Sequence, residues 1–266
     1  MTASAPNPYR VEAYNTSKVS ENKIHDDATA RRFGFLGGLV PGVDVYAYMT
    51  HQPVARWGRA WLERGTAECR FAKPVYDGDI ATVAATEDAT GMEIRVESRG
   101  VLCATGRAAL PADPPPPALD KFRPVPERVS RPPANEASLA VDTWLGIEPF
   151  AVTPQIAAQH LADVREMLPL YAAERLVHPV VILRICNWAL SRNVVLGPWM
   201  HVGSQVQNLA AAQVGQVLSV RARVSANYEH KGHFFVDLDA LVLADERPVA
   251  RVAHVSIYRP RQVAAA

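Results

Sequence analysis

The feature that most constrains this chain is an approximate duplication. Pro41 and Pro179, Trp61 and Trp199, Gly65 and Gly203, and Phe71 and Leu209 each lie 138 residues apart, and Gly78 and Gly215 lie 137 apart. Each of the two prolines heads a strongly apolar stretch, 43 to about 57 in the first half and 180–190 in the second. A proline is tolerated at the start of a helix, because the N–H it lacks has no intrahelical partner there. After each apolar stretch come short runs with apolar alternation, at 66–72, 80–87, 92–99 and 101–109, then at about 200–210, 216–228, 233–244 and 248–258. Asp77-Gly78 and Thr90-Gly91 mark turns between them. The expected fold class is α+β, with two copies of one unit in which a long buried helix is followed by an antiparallel sheet.

The copies are separated by a segment that can be neither central strand nor helix. Residues 111–133 hold nine prolines, four of them consecutive at 114–117. Proline lacks a backbone donor and clashes with the preceding turn, so an extended surface linker is expected. The chain then divides into an N-terminal unit, 1–112, a proline-rich linker, 113–140, and a C-terminal unit, 141–266. Residues 1–13 form an opening segment with room for a short strand. Residues 15–33 and 155–175 are helix-prone, with Ser17 or Ser20 as a cap for the first, and Pro53 is positioned to kink or shorten the first apolar helix.

Charge and composition exclude several classes. With 28 basic and 27 acidic residues, the formal net charge of +1 offers nothing for a nucleic acid or an anionic membrane surface to recognise. No apolar run reaches the roughly 18 residues of a membrane span. Residues 1–10 lack the apolar core of a signal peptide, so a cytoplasmic protein is expected. The three cysteines, Cys69, Cys103 and Cys186, are scattered through apolar segments and read as reduced core residues. His230 and His233 have a possible metal spacing but fall in an expected hairpin turn with no third ligand, so no metal is expected.

The stretch richest in chemistry is 22–43. His25 follows Asn22 by three residues, a glycine-rich turn holds Gly34, Gly37 and Gly38, and Pro41-Gly42 opens the first apolar helix. A neutral imidazole can accept and return a proton near neutral pH. The first N–H groups of a helix have no internal partner and carry partial positive charge, so the Gly42 N–H is placed to polarise a carbonyl. Asn22 is a candidate to orient His25, with Ser20 or Glu21 as a further contact. The alternatives are a histidine that only packs and a Pro-Gly that only starts a helix. Asp26 and Asp27 are expected to point away from the site. Asp44 reads as a helix cap or an acid facing a pocket, and most aromatics near the two helices read as core.

The repeated unit resembles the hotdog fold, a curved antiparallel sheet wrapped around a central helix, and the whole chain resembles a double hotdog. Over about residues 14–49 it is similar to the MaoC-like, or (R)-specific enoyl-CoA hydratase, family. That family's signature runs Asp-x-Asn-Pro-aliphatic-His, followed by a Gly-Phe turn and a glycine at the start of the helix. Asn22, Ile24, His25, Gly34-Phe35 and Gly42 match it. The signature's acid falls on Ser20, its proline on Lys23, and the histidine usual before the helix glycine on Pro41.

The resemblance implies hydration or dehydration of an enoyl- or 3-hydroxyacyl thioester, carried by coenzyme A or a carrier protein. His25, Asn22, Gly42 and Ser20 would form the site, without metal or redox cofactor. At the same offset His25 maps to Asp163 and Asn22 to His160, so the second unit lacks the motif and is expected to shape the acyl pocket. The departures leave open a hotdog that binds a thioester or apolar ligand without hydrating it. They also leave open a thioesterase or a specialised dehydratase-cyclase. A homodimer is implied by analogy.

Overall fold

The computed structural model describes residues 7–112 and 118–261. The first half comprises β1 (Tyr9–Glu12), a 3-10 turn (Lys23–His25), α1 (Asp27–Arg32), α2 (Gly42–Trp57), α3 (Arg59–Arg64), β2 (Thr66–Phe71), β3 (Ile80–Asp88), β4 (Gly91–Ser98) and β5 (Val101–Ala109). After a 3-10 turn at Leu119–Lys121, the second half comprises β6 (Trp144–Leu145), β7 (Phe150–Ala151), α4 (Pro154–Asp163), α5 (Leu170–Ala173), α6 (Pro179–Ser191), β8 (Met200–Asn208), β9 (Val217–His230), β10 (His233–Ala244) and β11 (Arg247–Arg259). Among the described residues, no helix is long and apolar enough to cross a membrane.

All strands join one antiparallel sheet in the order β1-β3-β4-β5-β2-β8-β11-β10-β9-β6, with β7 also on β9. Its two halves meet where β2 pairs with β8, Thr66 opposite Gln207 and Arg70 opposite Gly203. The expected alternation is clearest on β4, where Met92, Ile94 and Val96 are buried and Glu93, Arg95 and Glu97 exposed. The inner faces close on α2 and α6, which are buried on nearly every side and touch each other. This is the double hotdog arrangement. Cys69, Cys103 and Cys186 are all buried, and the His230–His233 segment is the turn between β9 and β10.

Several expectations need correction. Trp61 and Trp199 are not equivalent: Trp61 is fully buried within α3, whereas Trp199 precedes β8. Gly65 precedes β2, but Gly203 lies inside β8. The duplication does hold for the helix starts, for the ends of β2 and β8, and for the turns before β3 and β9. It drifts afterwards because β9 has 14 residues to the 9 of β3, and β10 has 12 to the 8 of β4. Pro53 does not end α2, which runs on to Trp57. The helix-prone 155–175 region is two helices, α4 and α5.

Neither Ser17 nor Ser20 caps a helix. Asn22 caps the 3-10 turn and Asp26 caps α1, its carboxylate accepting from Thr29 N at 2.9 Å. A carboxylate directly before the helix can reach the third amide, whereas Ser20 is a turn too early. The proline run at 114–117 lies outside the described residues. Beyond it, the linker does more than cross the surface. Phe122 is buried against Leu241 and Leu243, and Pro133 bridges to Val195.

Candidate active site

The site is built on the 3-10 turn. Ile24 is fully buried with Ala30 and Leu39, which fixes the turn against the glycine-rich segment. The backbone carbonyl of His25 accepts from Asn15 Nδ2 at 2.9 Å. Gly38 passes so close to that carbonyl that a β-carbon there would lie 2.1 Å from the oxygen, which is why this position carries no side chain. Gly38 N donates to Asp27 Oδ1 at 2.8 Å. Leu39 follows, and its carbonyl lies 2.7 Å from His25 Nδ1.

A carbonyl only accepts, so Nδ1 carries the imidazole hydrogen and Nε2 presents a lone pair. Asn22 Nδ2 lies 3.3 Å from that Nε2. The same amide is anchored across the molecule. Asn22 Nδ2 donates to the Trp199 carbonyl at 2.9 Å, and Trp199 N donates to Asn22 Oδ1 at 3.1 Å. Burial pushes the His25 imidazole below its ordinary pKa, partly offset by the Leu39 contact, so the ring is held neutral.

Pro41 supplies no side-chain cap to α2, and Gly42 N has no helical carbonyl four residues back to bond. Gly42, His25, Asn22 and Ser20 line one cavity of about 620 Å³. All four sequence candidates are therefore brought together. Ser20 Oγ itself donates to the Asn22 carbonyl at 3.3 Å. Among the described residues, no carboxylate hydrogen-bonds the His25 ring. Glu21 is exposed and pairs with Arg131 at 2.9 Å, and Asp26 and Asp27 serve the local turn.

Asp44 is neither a cap nor a wall of the cavity. It is fully buried, accepting from Thr16 Oγ1 at 2.6 Å and pairing with Arg184 Nη2 at 2.5 Å. Burial pushes its carboxyl above the ordinary range, against the opposing pull of Arg184 and Thr16. Since Arg184 lies on α6, this ion pair joins the two central helices.

The second half closes the cavity with Arg184, Asn187, Trp188, Trp199 and His201. Trp188 and Trp199 thus line the cavity together with Phe35 and Phe71, whereas Tyr46, Tyr48 and Trp61 are core. His201 packs directly on Gly42: a β-carbon at Gly42 would lie 3.1 Å from His201 Nδ1. Its Nε2 leads through Ser204 and His254 to Asn187. Sequence reasoning did not single out these second-half polar residues. The one available signal was the spacing of Arg184, Asn187 and Ser191 on an otherwise apolar helix.

The second half does not repeat the site. At the 138-residue offset Gly42 falls on Val180, the second residue of α6, whose amide donates to His178 Nδ1 at 3.1 Å. The helix end left open in the first half is therefore stoppered by an imidazole in the second. Asp163 accepts from Gln159, and the His160 ring nitrogens are buried without hydrogen-bond partners among the described residues.

No protein-family model and no curated protein sequence matches the chain. Solved structures do. Over 97% of its length the chain is similar to Rv0216, a conserved Mycobacterium tuberculosis protein with a double hotdog fold (TM-score 0.66, 15% identity, 96% of that chain covered). It is also similar to a MaoC-like dehydratase (TM-score 0.63, 14% identity, 97% of this chain and 98% of that one). A MaoC domain protein named as a dehydratase from Chloroflexus aurantiacus gives a TM-score of 0.57 at 11% identity, over 98% and 96% of the two chains. At these identities the likeness establishes the fold, and the fold is a double hotdog.

Proposed function

We propose that this protein binds an acyl thioester between its two halves and catalyses reversible hydration of a 2-enoyl thioester to the 3-hydroxyacyl form. One observation carries the reading. A tautomer-fixed His25 Nε2 and the uncapped N-terminus of α2 at Gly42 line the same cavity. In the hydration direction, His25 Nε2 takes a proton from water as its oxygen attacks C3. The Gly42 N–H stabilises the enolate oxygen that develops on the thioester, and the imidazolium returns the proton to C2. In the resting site Asn22 steers the ring through its 3.3 Å contact with Nε2, which water displaces when Nε2 acts as base, and Ser20 occupies the position where related signatures carry an acid. The match of Asn22, Ile24, His25, Gly34-Phe35 and Gly42 to the hydratase signature and the likeness to MaoC-like dehydratases support this assignment.

The test is incubation of the purified protein with crotonyl-CoA and with 3-hydroxybutyryl-CoA, following each acyl group by mass spectrometry. Interconversion that His25→Ala abolishes supports the proposal. No interconversion at equimolar protein and thioester rejects it. A second reading, thioester binding or hydrolysis without hydration, is favoured by the absence of a carboxylate on the His25 ring among the described residues. Release of free thiol in the same assay identifies hydrolysis, and binding with neither product identifies a non-catalytic binder.

A further inference from the structure

Four side chains from β8, β11 and α6 form a continuous buried chain beside the cavity. His201 Nε2 lies 3.1 Å from the Gly203 carbonyl and 2.8 Å from Ser204 Oγ. Ser204 Oγ lies 3.0 Å from His254 Nδ1, and His254 Nε2 lies 2.8 Å from Asn187 Oδ1.

The direction of every proton follows from the first link. A backbone carbonyl only accepts, so His201 Nε2 carries hydrogen and the Ser204 hydroxyl cannot donate to it. Among the described residues, Ser204 Oγ then has one acceptor left, His254 Nδ1, which must be bare. The hydrogen of His254 therefore sits on Nε2 and is donated to the amide oxygen of Asn187. Both rings are neutral, since burial pushes His201 down to about 3 and His254 well below the ordinary range.

The chain thus settles which end of the Asn187 amide is spare. Asn187 Oδ1 is turned to His254, and the NH2 group is left over. It has no acceptor among the described residues, and Asn187 lines the cavity. Arg184, one turn earlier on the same helix face, also lines it, with a buried Nε that has no hydrogen-bond partner among the described residues. Of the cations on the cavity wall, Arg131, Arg184 and Arg192 are paired with Glu21, Asp44 and Glu127, whereas Lys73 has no acidic partner among the described residues, so the donors left open to a ligand are Lys73, the Asn187 NH2 group and Arg184 Nε. A plain hydrocarbon chain would strip water from these donors and give nothing back.

We propose that Asn187 is a specificity-determining residue whose N–H groups, aimed by the His201–Ser204–His254 chain, bind an oxygen acceptor on the acyl group. The ligand is then an oxygenated acyl thioester, with a carboxylate or ketone beyond the thioester carbonyl, and not a simple fatty acyl thioester. This rests on the thioester reading above, but not on its hydration step.

The experiment compares binding of three saturated five-carbon thioesters by calorimetry: glutaryl-CoA, 4-oxopentanoyl-CoA and pentanoyl-CoA. The wild-type protein is expected to prefer each oxygenated ligand over pentanoyl-CoA by about tenfold or more. Asn187→Asp keeps the acceptor for His254 and replaces the donors with an oxygen, so both preferences should fall to about unity. Loss of the preference for the uncharged ketone excludes simple charge repulsion. Ser204→Ala leaves Asn187 in place but releases its orientation, and should lower both preferences partway; it also carries the test if Asn187→Asp does not fold. Equal wild-type affinity for all three ligands, or preferences unchanged in the variants, overturns the proposal. Turnover of the 2-enoyl forms is measured separately. Preference without turnover rejects hydration and leaves this proposal standing, turnover without preference does the reverse, and no binding of any thioester rejects both.

Discussion

The side-chain amide of Asn22 and the backbone of Trp199, 177 positions apart, exchange two hydrogen bonds of 2.9 and 3.1 Å. The same amide stands 3.3 Å from His25 Nε2. The imidazole of the first half is therefore oriented by a residue clamped to the second half, and the site forms only when the halves are docked.

Asn22→Ala removes that clamp and the contact with the imidazole together. Stability should fall by about 1–3 kcal/mol, the cost of leaving the Trp199 amide and carbonyl without partners. Urea unfolding measures this. Turnover on the proposed substrate should fall further than the stability loss explains, because the folded fraction retains a loosened His25.

His25→Gln should lower turnover by about 10²–10⁴ while leaving the fold in place. The pH profile gives a second check. Burial lowers the imidazole pKa, so the base stays neutral below the ordinary value of 6.5. The acid limb of kcat/KM should therefore lie below that value. A limb at or above it would show that His25 is not the titrating base.

Gly42→Ala places a β-carbon 3.1 Å from His201 Nδ1 and 3.2 Å from Phe71 Cδ2. The His201 ring is stacked on His254 at 4.1 Å between centroids, so it has little room to give way. A stability loss of about 1–3 kcal/mol is expected from overpacking. The displaced helix end should cost turnover a further factor of about 10 to 10³. Thermal unfolding and steady-state kinetics on the same preparation separate the two effects.

Arg184→Met should be more damaging than its position on a cavity wall suggests. It strands the fully buried Asp44 carboxylate, at about 3–5 kcal/mol. Asp44→Asn in the same chain removes the stranded charge and should recover much of that loss. Denaturant midpoints of the two singles and the double complete the cycle; additive losses would show that the pair is not coupled.

Acid should destabilise the fold early. His160 and His178 are held at about 4 and His201 at about 3 by burial, against 6.5 for an ordinary imidazole. Between those values the unfolded chain binds more protons than the folded one, so stability rises with pH. The contribution is fully present above 6.5 and is lost as pH falls towards 4. Urea midpoints should decline steadily across that window, and a flat profile would contradict the assignment.

Much of this was legible in the chain itself. Local rules place the prolines at the two helix starts, the alternating runs on strands, and the glycines in the turn before the first central helix. The spacing of Asn22, His25 and Gly42 singled out the first-half candidate residues because they lie within a single local stretch.

What the tertiary structure alone decided is whatever crosses between the halves. Ser17 and Ser20 looked like the caps, and only the fold shows Asn22 capping the 3-10 turn and spanning to Trp199. Asp44 looked like a cap or a pocket acid until Arg184 arrived from 140 residues away. His178 and Gly42 head related helices, yet one end is stoppered and the other open. The polarity of the His201–Ser204–His254–Asn187 chain has no counterpart in linear spacing. The physical reason is the range of the forces: capping, turns and periodicity act within a few residues. Burial, ion pairing and the sharing of one proton chain depend on which distant surfaces are pressed together.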